Sequence, residues 1–236
     1  MQIIADEQQL RDINSIGKWW TEQTDETGRI IGSNDEQHGP AMWKVEGLAW
    51  KVALMHSKVK LAGKRVLELG CLDGANTLSL CAVGADVTAM DIRPSCLVKA
   101  MLRCVAFGFS PRFLLGDIRS LRNLSDFDLL VHAGVLYHLA DPVSHVFGLV
   151  RYGIPVIVDT NLSQQPDDVL QGYSGHWQTE GGWDSEVSGA EPRSFWLAQD
   201  SLERLMADAG FTATEWWVGK LPNGFLHGVY YLEPPV

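Results

Sequence analysis

From residue 65 onward the chain alternates between short apolar runs and longer stretches whose apolar residues recur three and four apart. The short runs are Arg65–Leu69, Asp86–Met90, Arg112–Leu115, Phe127–His132 and Pro155–Asp159. Each is a handful of residues long and bounded by Gly, Asp or Pro, which is the pattern of a buried strand. Between them, residues 75–83, 95–107 and 141–150 carry helical spacing. Two of these stretches open on a proline in the favoured first-turn position, Pro94 and Pro142. A further helix is predicted over 199–209, closed by Gly210. Two last β segments, 211–218 and 225–232, flank Lys220-Leu221-Pro222-Asn223-Gly224, a turn by composition. Ahead of all this, residues 5–17 read as a helix and 24–35 as a turn-rich loop or hairpin. Residues 41–58 read as a helix, because Met42, Val45, Leu48, Ala49, Val52, Ala53 and Met55 fall near helical spacing.

Strands alternating with helices predict an α/β fold: a mostly parallel, seven-stranded, Rossmann-like sheet with helices on both faces and an antiparallel C-terminal hairpin at one edge. In such sheets ligands sit beyond the carboxyl ends of the strands. That rule directs attention to residues 68–74, Asp91, Asp117, 132–138 and 159–161. The expected organisation is an N-terminal cap over the active site, residues 1–60, and one domain over 61–236. Within it, residues 160–194 are too long for a simple connection and read as a lid insertion.

The densest chemistry lies in Val66-Leu67-Glu68-Leu69-Gly70-Cys71-Leu72-Asp73-Gly74, where a strand ends, a glycine turn follows and a helix opens. Glycine at 70 permits a tight turn and close approach of a ligand to the main chain. About 20 residues on, the next strand ends at Asp91, the usual place for a carboxylate that grips ribose hydroxyls. The glycine spacing is G-x-x-x-G and departs from the dinucleotide fingerprint G-x-G-x-x-G. Glu68 and Asp73 would repel a pyrophosphate and suit a cation. S-adenosylmethionine carries a sulfonium and an ammonium and no phosphate.

These residues resemble the first motif of the class I methyltransferases, roughly E/D-x-G-x-G-x-G, with a departure at Leu72 where that family usually has its middle glycine. The resemblance extends over roughly residues 60–235. It implies S-adenosylmethionine as cofactor and S-adenosylhomocysteine as product, held by Glu68, Gly70, Cys71, Leu72, Asp73, Gly74 and Asp91. It further implies that Ile92 flanks the adenine, that Arg93 lies near the ribose, and that Asp117, with Ile118, accepts a hydrogen bond from the adenine amine. The stretch Gly134-Val135-Leu136-Tyr137-His138 resembles the G-V-L-Y-H motif of a methyltransferase subgroup that includes the tRNA uridine carboxymethyltransferases. Asp25–Gly32 and Ser194-Phe195-Trp196, followed by Ser201–Met206 and Gly210-Phe211, are similar to that subgroup in pattern.

Tyr137 and His138 are the candidate catalytic residues. A neutral imidazole after the fourth strand of the βα series suits proton removal from an acceptor hydroxyl, and the alternative is a helix cap or a bond to a buried carbonyl. Tyr137 either bonds the donor's amino-acid end or lines the pocket. His132, on a strand, reads as structural. On the lid, His176, Trp177 and Trp183 suit a flat or apolar acceptor, or else staple the segment to the core. Asp159 and Asn161 lack a third ligand, so no metal is expected.

Bulk properties narrow the partner. A 236-residue chain with 46% hydrophobic and 20% charged residues is globular and suits one elaborated domain. A net charge of −10, with Arg112, Arg119 and Arg122 the densest cations, favours a small or cationic acceptor over nucleic acid. The four cysteines form no CxxC pair and read as reduced thiols, consistent with a cytoplasmic protein. Neither a membrane span nor a secretory signal is evident, and nothing fixes the oligomeric state. The leading reading is an enzyme passing a methyl group by direct displacement to an oxygen or nitrogen of a small molecule. A second is a tRNA wobble-uridine modifier with a carboxylated donor, for which Lys44 and Arg93 are the candidate cations. A third, prompted by Leu72, is a non-catalytic adenosyl-ligand-binding module.

Overall fold

The protein is described by a computed structural model over residues 1–34, 36 and 38–235, so Asp35, at the end of the turn-rich stretch, lies outside the described residues. The chain divides into two compact units, residues 1–118 and 119–236.

In the first unit, helix α1 (Glu7–Asn14) starts with Asp6 and Gln9 exchanging side-chain and backbone bonds, a capping box that satisfies two otherwise unpaired amides. Strands β1 (Thr21–Thr24), β2 (Ile30–Ile31) and β3 (Trp43–Glu46) form a small sheet in the order β2-β1-β3. The β1–β2 pair is the expected hairpin. Its turn is built on Asp25, which accepts from the amides of Ile3, Thr27 and Arg29 and from the Thr27 hydroxyl. Burial opposes the charged form of Asp25, but these donors prevail and lower its pKa to about 2.

The helix predicted over 41–58 is in part a strand. Gly47, at φ +69°, ends β3, which pairs in parallel with β1, and helix α2 (Trp50–Lys58) begins only afterwards. Met42, Trp43, Leu48 and Trp50 are consequently exposed, whereas Val52 and Met55 enter the core. The spacing near 3.6 was shared by two elements, and the glycine between them decided the outcome.

Then follow β4 (Arg65–Leu69), α3 (Ala75–Ala82), β5 (Asp86–Asp91), α4 (Pro94–Ala106) and β6 (Arg112–Leu115), within a residue or so of the expected bounds. β4 with β5, and β5 with β6, pair in parallel, so Leu69 lies beside Met90, and Asp91 beside Leu115.

The second unit holds β7 (Leu129–Ala133), a short 3₁₀ turn at Leu136–His138, α5 (Pro142–Leu149), β8 (Val156–Leu162), β9 (Asp168–Leu170), β10 (Tyr173–Thr179), β11 (Arg193–Leu197), α6 (Gln199–Asp208), β12 (Thr212–Lys220) and β13 (Leu226–Glu233). β7 and β8 are parallel, and β13 runs antiparallel to both β8 and β12. Seven strands form one mostly parallel sheet in the order β12-β13-β8-β7-β4-β5-β6, closed at one edge by the antiparallel C-terminal hairpin.

Residues 160–194 are ordered in a way that the sequence did not suggest. Their start prolongs β8, and β9, β10 and β11 form a separate antiparallel sheet in the order β11-β10-β9.

Candidate functional site

In the first unit, the carboxyl ends of β4, β5 and β6 bring together Glu68, the glycine loop, Asp91, Ile92, Arg93 and, two residues past β6, Asp117 with Ile118. The loop is bonded to itself and to its neighbours. The amides of Gly70 and Cys71 donate to the Met90 carbonyl at 2.8 and 3.0 Å, the Leu72 amide donates to Asp91 Oδ2 at 3.0 Å, and the Gly74 amide donates to the Cys71 carbonyl. None of these four donors is left to cradle a phosphate. Asp91 also accepts from the Arg93 amide at 2.9 Å, and burial keeps its pKa above the ordinary carboxylate value against the pull of these amides. Burial likewise pushes the Cys71 thiol up, so it is an uncharged wall group rather than a nucleophile.

Leu72 adopts φ +48°, the left-handed conformation that glycine would take without cost. The loop therefore keeps the backbone shape of a glycine at that position while carrying a leucine. At the far end of the loop, a Cβ on Gly74 would come within 2.6 Å of the Ala100 backbone, so glycine there lets α3 and α4 pack closely.

Asp73 does not take the ligand-facing part expected of it. Its carboxylate accepts from the amides of Trp20 and Thr21 at 3.0 and 2.6 Å and pairs with the fully buried Arg103 at 3.2 Å. Arg103 in turn donates to the Asp73 carbonyl and the Thr21 carbonyl and lies over the Trp19 ring. A buried carboxylate with a cation and two amides is neutralised internally. Its work is to fasten β1 beneath the loop.

Glu68 is the opposite case. It is buried, Oε2 accepts from the Thr77 hydroxyl at 2.5 Å, and Oε1 has no partner among the described residues. Burial, aided by Asp91, raises its pKa to about 7.

In the second unit, the Gly134 amide donates to the Asp159 carbonyl, and the 3₁₀ turn presents Tyr137 and His138 with ring centres 4.2 Å apart. Burial, with Asp159 and Glu180 nearby, pushes the Tyr137 phenol up, so it stays protonated at neutral pH. His138 Nδ1 lies 2.9 Å from Glu180 Oε1. The same carboxylate accepts from the Ser194 hydroxyl at 2.7 Å and from the Gly189 amide at 2.9 Å. Burial works against its charge, but His138, Ser194 and Gly189 outweigh it and hold the carboxyl below its usual value.

Trp196 packs edge-on to Tyr137 at 5.3 Å, with His176 at 5.5 Å and Phe225 at 5.3 Å. His176 Nδ1 is bonded to the Ser163 hydroxyl. His176, Trp177 and Trp183, the rings expected to suit the acceptor or to staple the segment to the core, do not come together. His176 and Trp177 are consecutive on β10 and so point to opposite faces. Trp177 packs on Phe195 under the Arg193 guanidinium, and Trp183 is exposed on its own 3₁₀ turn. Asp159 and Asn161 both grip the buried His227, at 2.7 and 2.8 Å. His132, held near 3 by burial and by the adjacent His145, is neutral and structural.

Glu180 and Phe225 were not singled out in the sequence, and Trp196 entered it only through the Ser194-Phe195-Trp196 resemblance, with no role given to it. Glu180 is one of 29 acidic residues, and its partner is 42 positions away.

The sequence family described as a methyltransferase domain matches residues 66–151. A tRNA U34 carboxymethyltransferase from Pseudomonas savastanoi pv. phaseolicola is 32% identical over 174 residues, covering 69% of this chain and 50% of the relative. The chain belongs to the class I, S-adenosylmethionine-dependent methyltransferases. A ubiquinone biosynthesis O-methyltransferase from Aromatoleum aromaticum is 33% identical over 105 residues, covering 42% of this chain and 45% of the relative. This methyltransferase thus spans about half the length of the curated relatives it matches. Among solved structures, the N-terminal domain of EvdMO1, crystallised in the presence of SAH and D-fucose, has the same fold. The TM-score is 0.74, with 19% identity and 98% of each chain covered.

The cofactor of this family fits the methyltransferase's own first unit. An unpartnered, buried carboxylate oxygen at Glu68 suits a cationic ligand, and the amides of Gly70, Cys71, Leu72 and Gly74 are already bonded within the protein rather than free for a phosphate. Asp91 has lone pairs left to accept from further donors, and Asp117 lies two residues beyond the end of the next strand. Among the described residues no helix is long and apolar enough to cross a membrane.

Proposed function

We propose that this methyltransferase passes the methyl group of S-adenosylmethionine to a small-molecule acceptor by direct displacement. The observation that carries the reading is the unpartnered Glu68 oxygen at the end of β4. The bound donor supplies an activated methyl on a sulfonium. Glu68 faces its cationic amino-acid end, Asp91 holds the ribose, and Asp117 with Ile118 binds the adenine, with Ile92 and Arg93 flanking. Leu72 leaves the loop shape intact, which argues against a module that has lost its ligand. The acceptor is received by the second unit, against Tyr137, His138, Trp196 and His176, with residues 160–194 as its wall. A small acceptor agrees with the charge of −10. It agrees also with two similar proteins, an O-methyltransferase of ubiquinone biosynthesis and a domain crystallised in the presence of SAH and D-fucose.

The test is a calorimetric titration of the full chain with S-adenosylmethionine and S-adenosylhomocysteine. Micromolar binding is expected. A folded protein giving no heat and no thermal stabilisation would overturn the reading.

A second reading, a tRNA wobble-uridine modifier with a carboxylated donor, is favoured by the 32% identity to the carboxymethyltransferase and by Gly134-Val135-Leu136-Tyr137-His138. Its cations would be Lys44 or Arg93. Lys44 is already paired with Glu22 at 3.0 Å. Tighter binding of the carboxylated donor than of S-adenosylmethionine would select this reading.

A further inference from the structure

We propose that Glu180 is a positioning residue that makes Nε2 of His138 a base, and that the acceptor group is therefore a hydroxyl. The inference rests on the small-molecule reading above and names the reacting group.

The argument starts from the donor count around one carboxylate. Glu180 sits just past the end of β10 with its side chain 5% exposed. Oε1 takes the Ser194 hydroxyl and faces His138 Nδ1, while Oε2 takes the Gly189 amide. An ionised carboxylate only accepts, so the atom of His138 facing it must carry the proton. Nδ1–H therefore donates to Glu180, and in the neutral ring Nε2 is left with its lone pair. The His138 side chain is 19% exposed, so this ring is not sealed into the core. Contact with Tyr137 at 4.2 Å and the two extra donors on Glu180 fix both halves of the pair in place.

A base so prepared matters for some nucleophiles and not for others. A neutral amine attacks through its own lone pair and sheds its proton afterwards. A thiol is already partly ionised near neutral pH, and a carboxylate fully. A hydroxyl is a weak nucleophile unless its proton leaves as the new bond forms. In the step proposed, the acceptor oxygen bonds to the methyl carbon as the carbon–sulfur bond breaks, and sulfur keeps the electron pair and becomes a thioether. The hydroxyl proton passes to Nε2, and the imidazolium so formed is paired with the Glu180 carboxylate until it loses a proton to water. Glu180 and Ser194 lie outside residues 66–151, the part that matches the family domain. The device thus belongs to the separate antiparallel sheet of this chain.

The test has two arms. Nitrogen-15 spectra of the histidine-labelled full chain without cofactor, with His138→Gln assigning the signal, report the tautomer. A protonated Nδ1 and a bare Nε2 are expected, with that preference lost in Glu180→Ala. Product release from S-adenosylmethionine is then followed with D-fucose and catechol as hydroxyl probes, and with aniline and thiophenol as amine and thiol probes. Turnover of a hydroxyl probe is expected, with kcat down at least tenfold in Glu180→Gln while calorimetric binding of S-adenosylmethionine stays within twofold. A protonated Nε2 in the unaltered protein overturns the proposal. So does unchanged kcat in Glu180→Gln, or a cofactor-loaded protein that methylates none of the hydroxyl probes. Failure to bind S-adenosylmethionine at all would instead remove the small-molecule reading and leave the tautomer result standing.

Discussion

The loop over residues 66–74 and the sheet made by β9, β10 and β11 assemble functional groups in opposite ways. The main chain of the loop is local: its strand, turn and helix follow one another, and Asp91, which holds the Leu72 amide, is 19 residues away, although the Asp73 side chain reaches farther. The small sheet is made of distant pairs, with His138 bonded to Glu180 across 42 residues and Trp196 reaching both Tyr137 and Phe225. A cofactor shared by a whole family is met by short-range architecture. The groups proposed to face the acceptor come from pairings that an insertion can rewrite without disturbing the loop.

If that contrast holds, damage to one region should leave the other working. Trp196→Ala removes a side chain that is 7% exposed and contacts three other rings. A loss of about 3–5 kcal/mol is expected in denaturant unfolding, with S-adenosylmethionine affinity in the still-folded protein within threefold of the original. A collapse of affinity would break the comparison.

The next largest effect is a pH dependence confined to the loop. Glu68 titrates near 7 in the folded protein and near 4.5 when unfolded. Between those values the folded chain keeps a proton that the unfolded chain has released. Stability is therefore fully supported below pH 4.5 and falls as pH rises toward 7, by about 3 kcal/mol. Thermal melts should show this fall, and Glu68→Gln or saturating S-adenosylmethionine should flatten it. A melting temperature that rises over that window would contradict the burial argument.

Asp91→Ala takes away the acceptor of both the Leu72 and Arg93 amides as well as the proposed ribose ligand. A loss of about a hundredfold in S-adenosylmethionine affinity, equivalent to roughly 2.7 kcal/mol, is expected by calorimetry. His138 should keep its tautomer. Smallest of all, Leu72→Gly relieves a left-handed leucine. It should raise unfolding stability by about 1 kcal/mol and hold cofactor affinity within twofold. A loss of stability would mean that the leucine side chain contributes more packing than its backbone costs.

The same contrast explains what could be read from the sequence. The alternation of strands and helices after residue 65, the end-of-strand acids and the G-V-L-Y-H stretch are all short-range signals, and apart from β9, β10 and β11 the elements lie where they were expected. The failures are long-range. Asp73 looked like a ligand group because Arg103, thirty residues on, and the Trp20 and Thr21 amides had no visible tie to it. Residues 41–58 carried one apolar rhythm across two elements, and only Gly47 marked the break. Glu180 was one acidic residue among many until β10 met β11 and brought Ser194 to the same carboxylate. His176 and Trp177 were grouped as rings carried by the same segment, whereas neighbours on a strand face apart.

The fastening of β1 beneath the glycine loop has a practical side. A shortened chain beginning at residue 61 would look, by family match alone, like a tidy catalytic core. It would also lack the Trp20 and Thr21 amides and the Thr21 carbonyl. Asp73 and Arg103 would lose these partners, and the loop would be left with its bonds to Met90 and Asp91 alone. If the cofactor is held at this loop as proposed, trimming the first sixty residues to obtain a minimal enzyme would remove the support of Asp73 along with them.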